Sequence, residues 1–123
     1  MMLDLIFYPA QGEPPHYIEL SEDFYEWLAK SEFSKIGESV PKTMIIDEEE
    51  EELPLVELEP DNRPKLRNFL IEEIVGESDR MLAKLGDYPS KNEYQTASYK
   101  LRKLQELRKC LENENYLYLQ RVV

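Results

Sequence analysis

Nucleophilic catalysis needs a hydroxyl or thiol within reach of a base, and this chain offers one histidine, His16, and one cysteine, Cys110. His16 lies in Glu13-Pro14-Pro15-His16-Tyr17, where two prolines impose an extended turn. It reads as a surface turn residue or one half of an aromatic contact in preference to a general base. The four glycines stand far apart, at 12, 37, 76 and 86, so there is no Gly-x-Ser-x-Gly elbow, P-loop or Gly-x-Gly-x-x-Gly turn. Acyl-transfer enzymes of the serine and cysteine types and nucleotide-binding enzymes lose their local signatures here. Carboxylates remain, with Asp and Glu together numbering 26. Two of them act as acid and base only where a cleft drives their pKa values apart, and no spacing marks such a pair.

The densest group is Asp47-Glu48-Glu49-Glu50-Glu51-Glu52, followed closely by Glu57, Glu59 and Asp61. It lacks the Asp-x-Asp-x-Asp-Gly pattern that wraps calcium. With His16 and Cys110 the only soft donors, a zinc or other transition-metal cluster is not expected. The sequence therefore assigns no catalytic, cofactor-binding or metal-ligating residue, and the expectation is a protein that is not an enzyme. Six adjacent carboxylates repel one another and favour a solvated loop or a strand end. Three readings stand for this run: a surface loop with no partner, a docking surface for a basic protein, or a weak site for divalent cations.

Charge is distributed unevenly. The 123 residues carry 15 Lys+Arg and a net charge of −11. Residues 1–62 hold 17 acids against Lys30, Lys35 and Lys42, a net −14, and residues 63–123 hold nine acids against 12 bases, a net +3. Such a surface repels phosphates and anionic lipid, so direct nucleic-acid binding and membrane docking are not expected. No stretch is apolar and long enough to span a bilayer, and the start, Met1 to Tyr8, lacks the basic flank of a signal peptide. A single cysteine forms no internal disulfide, so the expected location is the cytoplasm. Apolar residues at 41 per cent and 13 aromatic side chains argue for a folded chain. Its length suits one core, so one domain over residues 1–123 is expected, with an acidic loop at 47–52.

The elements follow from periodicity and punctuation. Leu3 to Tyr8, bounded by Pro9 and Gly12, predicts a strand, and Tyr17-Ile18-Glu19-Leu20 a short second one. Ser21 with Glu22 and Asp23 starts a helix that stops before Gly37, with Phe24, Trp27 and Leu28 on one face. Met44-Ile45-Ile46 predicts a strand, and Leu53 to Leu58 an edge strand or irregular chain because of Pro54. From Asp61-Asn62-Arg63-Pro64, a helix carries Leu66, Leu70, Ile71, Ile74, Val75, Met81, Leu82 and Leu85, broad enough for neighbours on several sides. Gly76 is a candidate kink or break, and Gly86 the stop. Ser90 to Glu93 reads as a capping box opening a last helix with Tyr94, Ala97, Leu101, Leu104 and Leu111 as its stripe and Leu107 at the edge. A short turn makes these two helices an antiparallel hairpin. Tyr116 to Val123 predicts a closing strand paired with the first.

On the last helix this phase leaves Cys110 opposite the apolar stripe, near Tyr99 and Glu106. Two readings follow, an indifferent small residue or a patch of Tyr99 and Cys110 covered by a partner. Arg108 falls inside the stripe, either lying along it or paired with a carboxylate of the acidic half. The basic residues of this helix, Lys100, Arg102, Lys103, Arg108 and Lys109, are placed to neutralise the Asp47 to Glu52 run. The aromatic residues serve either core packing or interface anchoring.

These readings converge on an α+β domain: a long antiparallel helical hairpin and one shorter amphipathic helix packed with a small sheet that includes both terminal strands. The expected function is an acidic, non-enzymatic binding or inhibitory module that engages a basic protein, with Asp47, Glu48, Glu49, Glu50, Glu51, Glu52, Tyr99 and Cys110 as candidate partner-binding residues. In composition it is similar to bacterial immunity proteins and other nuclease inhibitors, a likeness that assigns no residue a role. A structural or adaptor subunit acting as a homodimer is the second reading, and a carboxylate-dependent enzyme the third.

Overall fold

A computed structural model describes residues 3–10, 13–86 and 90–121, and it shows an α+β fold. The elements are β1 (Leu3–Tyr8), β2 (His16–Leu20), α1 (Glu22–Lys30), a 3₁₀ turn (Glu32–Lys35), β3 (Val40–Ile46), β4 (Glu49–Glu57), α2 (Asn62–Leu85), α3 (Lys91–Glu112) and β5 (Tyr118–Gln120). The strands form one sheet in the order β2-β1-β5-β4-β3, antiparallel at each step. The C-terminal strand pairs with the first as its β-forming residues suggest, Ile6 facing Gln120 and Tyr8 facing Tyr118. Val122 and Val123 lie outside the described residues.

Two expectations about β4 are corrected. Asp47 and Glu48 alone make the turn, and Glu49 to Glu52 are strand, paired with Ile46, Ile45, Met44 and Thr43. The ladder outweighs the low strand preference of Glu because these side chains project into solvent, where their charges stay hydrated. Nor does Pro54 push its strand to an edge. It faces Pro41 across β3–β4, a pair that cannot exchange N–H···O bonds and so occupies a non-hydrogen-bonded position, while β5 reaches only Val56 and Glu57.

Helix α1 starts as its sequence dictates: the Ser21 hydroxyl accepts from the Phe24 amide at 3.3 Å, and Glu22 and Asp23 occupy the first turn. Ser31 ends it by donating to the Leu28 carbonyl at 2.6 Å, and the 3₁₀ turn then seats Phe33 in the core. Helix α2 runs through Gly76 as one helix and stops at Gly86, whose φ of 65° suits glycine. The expected broad burial holds in its first half only. Leu66 and Leu70 are fully buried, each contributing about 2 kcal/mol, whereas Val75 and Leu82 are exposed at 59% and 69%. At the start of α3 the Ser90 hydroxyl accepts from the Glu93 amide at 3.1 Å, and its own proton goes to the Glu93 carboxylate. The expected hairpin turn, Asp87-Tyr88-Pro89, lies outside the described residues. Within them α2 and α3 pack on one another, with Lys100 Nζ 3.2 Å from the Glu77 carboxylate.

Residues directly opposite in an antiparallel ladder share a face. Leu5, Phe7, Ile18, Leu20, Val56 and Leu119 fill one face and meet the helices in the main core. The other face carries Ile6, Tyr8, Tyr17, Tyr118, Leu53, Leu55, Met44 and Ile46, and none of the described helix residues joins its cluster.

Candidate interaction surface

The acidic hairpin turns on two residues. Asp47 and Glu48 have φ of 51° and 68°, the left-handed pair that a two-residue hairpin loop needs to match the twist of its strands. From that turn the strand period of two divides the carboxylates. Glu49 and Glu51, opposite Ile46 and Met44, share the open face with Tyr8, Leu53 and Leu55, while Glu50 and Glu52, opposite Ile45 and Thr43, share the reverse face with Pro54. All six acids are exposed, and among the described residues none of them is in an ion pair. Three of the basic residues placed to neutralise them are engaged within the helical layer instead. Lys100 meets Glu77, Lys103 meets Glu106, and Arg108 donates to Glu112 at 2.8 Å and to Gln105 at 2.8 Å.

The open face is apolar at its centre. Tyr8 is 4% exposed, packs with Met44 and Leu55, and donates its hydroxyl to Gln120 Oε1 at 2.7 Å. Burial, then the Tyr17 hydroxyl and the Glu51 carboxylate, push the Tyr8 phenol up to about 12. A cation enters this face: Lys42 pairs with Glu57 and lies 5.8 Å from the centre of the Tyr118 ring. The Glu57 hydrogen bond and charge raise the Lys42 pKa.

Between the hairpin turn and the segment before β2 lies a cleft of about 340 Å³. Tyr8, Pro14, Met44 and Ile46 line it with apolar surface, and Glu13, Asp47 and Glu48 add carboxylates. An aromatic and aliphatic wall beside acids is the surface a Lys or Arg side chain matches, its stem on the apolar part and its charge at the carboxylates. No family model, curated protein or solved structure matches this chain. The cleft and the open face are therefore read from their own chemistry.

The other half of the expected site is corrected. Cys110 is 8% exposed and belongs to the main core beside Leu107 and Leu111, so α3 buries a face rotated from the stripe expected through Tyr94, which is 52% exposed. Desolvation, with Glu106, pushes the Cys110 thiol up to about 11. The Tyr99 hydroxyl accepts from the Ser21 amide at 2.9 Å, and its ring meets Phe24 edge-on at 6.2 Å. Cys110 is thus buried within this chain, while Tyr99 is half-buried against α1, and Tyr116 of the C-terminal segment packs against the same core. His16 is exposed, its ring 6.1 Å from that of Tyr116. Among the described residues no three His, Cys, Asp or Glu side chains are grouped to hold a metal ion, and no helix is long and apolar enough to cross a membrane.

Sequence reasoning missed Tyr8, Met44, Leu55 and the cleft. The signal was present as alternation, Met44 and Ile46 on one strand, Leu53 and Leu55 on the next, which puts four apolar residues on one face once the hairpin turn is placed.

Proposed function

We propose that this protein is a binding module that engages a basic protein surface through the β3–β4 hairpin and the adjoining open sheet face, with a Lys or Arg of the partner entering the cleft beside Tyr8. The observation that carries this reading is the placement of Glu49 and Glu51 on the same face as Tyr8, Met44 and Leu55, free of ion pairs among the described residues. Hydrated carboxylates at the margin speed and orient encounter with a positive surface, and the exposed Tyr17 and Val40 with the half-buried Ile6, Ile46, Leu53 and Tyr118 of the same face supply affinity when covered. The mode is inhibitory where the covered surface is one that binds nucleic acid, since carboxylates at strand spacing present a row of negative charge. This role needs no catalytic group.

A photo-crosslinking residue at Ile46, half-buried on the open face and lining the cleft, tests the reading in native extract. The expected product is a basic protein, captured by the wild-type charge pattern and lost with Glu49→Lys and Glu51→Lys together. Capture of copies of this chain only, or capture indifferent to the charge reversal, contradicts it. For the homodimer reading, Cys110 is buried within this chain, and pairing two β3 edges would bring two acidic hairpins together.

A further inference from the structure

The cavity on the helical side of the sheet holds a charge that the binding role leaves unused. It measures about 340 Å³ and is lined by Leu5, Tyr25, Leu28, Ala29 and Phe33 together with Ser39 and Arg121. Arg121 follows β5 and reaches back to the end of the 3₁₀ turn, where its Nη1 donates to the carbonyls of Phe33 at 2.6 Å and Ile36 at 2.7 Å, and its Nη2 to that of Gly37 at 3.0 Å. A guanidinium carries five N–H donors. Three are used in this way, which leaves the Nε–H and one on Nη2, the side-on fork that fits a carboxylate with two parallel bonds. Among the described residues no carboxylate pairs with Arg121. Carbonyl dipoles offset part of the charge, yet burial still pulls its pKa below the ordinary value. The Ser39 hydroxyl, without a partner among the described residues, stands on the same wall.

We propose that this cavity binds an amphipathic monocarboxylate, the carboxylate on the Arg121 fork and Ser39, the hydrocarbon tail against Leu5, Leu28, Ala29 and Phe33. A medium-chain fatty acid has this chemistry. The site shares no lining residue with the hairpin cleft. The net charge of −11 makes the test sharp. A protein this acidic attracts alkylammonium and repels carboxylate, so a preference for carboxylate reports a local cation against the global field.

Calorimetric titration of the full chain with octanoate, octanol and octylammonium measures that preference. The expected order places octanoate at least about tenfold tighter than either of the others, the worth of a charge-assisted forked pair over apolar contact alone. Arg121→Gln should abolish it, but this change also cuts the bonds to Phe33, Ile36 and Gly37 and so weakens the fold. Ala29→Trp is the paired variant, because Ala29 is exposed and lines the cavity, so that a Trp there takes the space of the hydrocarbon tail while the Arg121 side chain is kept. Octanoate binding lost in Ala29→Trp with the unfolding midpoint unchanged supports the site. No saturable octanoate binding to the wild type, octanol binding as tightly as octanoate, or Ala29→Trp binding like the wild type would each overturn it.

Discussion

Glu51 stands directly across the β3–β4 ladder from Met44, so a hydrated carboxylate and a buried thioether share one face of the sheet. The Coulombic reach of Glu51 to Tyr8 ties the charged hairpin to the apolar cluster beneath it. This coupling is measurable. Tyr8 should ionise near pH 12 by ultraviolet titration, burial being the main cause, and Glu51→Gln should lower that value by removing a repelling charge. A Tyr8 titration unaffected by Glu51→Gln would place the hairpin elsewhere. Tyr8→Phe loses the bond to Gln120 and should cost about 1 kcal/mol in denaturant unfolding.

The turn carries two left-handed residues without a glycine, Asp47 and Glu48. Glu48→Gly supplies the Asp-Gly pair that such a hairpin favours and should raise stability by about 0.5 kcal/mol, net of the added freedom of the unfolded chain. Chemical denaturation reads it directly, and a loss of stability would argue against this turn geometry.

Cys110 should resist thiol reagents in the native state and react on unfolding, since it is buried beside Leu107 and Leu111. Its thiol is raised from an ordinary 9 to about 11, so the folded state holds that proton more tightly than the unfolded state does. The sign follows from linkage: the contribution is complete below pH 9 and is lost as pH rises towards 11, and that of Tyr8 is lost between 10 and about 12. Stability should therefore fall with alkali from about pH 9. Stoichiometric native labelling of Cys110 at neutral pH would contradict its burial.

Arg63 is 9% exposed and donates to the Leu111 carbonyl at 2.6 Å, to that of Asn113 at 3.1 Å, and to Tyr116, while pairing with Glu59. It closes the end of α3 and holds the turn into β5. Arg63→Ala leaves buried carbonyls unpaired and should cost about 3 kcal/mol, with Arg63→Lys recovering part of it. Equilibrium unfolding tests this, and a change of a few tenths would remove the clamp.

Much of the framework was legible locally. Leu3–Tyr8, Met44–Ile46 and the C-terminal strand announce themselves by composition between breakers, and Ser21 and Ser90 by the capping chemistry that the structure shows. What failed depends on distant neighbours. The phase of α3 cannot be fixed from apolar residues alone, because Ser98, Leu104, Leu107, Cys110 and Leu111 are buried while Tyr94 is left in solvent. Glu49 to Glu52 look like a loop until Val40–Ile46 provides a ladder for them. Arg63 and Arg121 serve carbonyls 48 to 88 residues away, a relation that no local pattern encodes. Of the candidate site, the acidic residues were visible and the face that gives them a purpose was not.

The electrostatic engagement of a basic partner is tested most directly by the affinity of the crosslinked protein for this chain as a function of salt. Affinity should fall by about tenfold or more from low to high ionic strength, as screening weakens the attraction of Glu49, Glu51 and their neighbours. An affinity flat in salt would contradict the account.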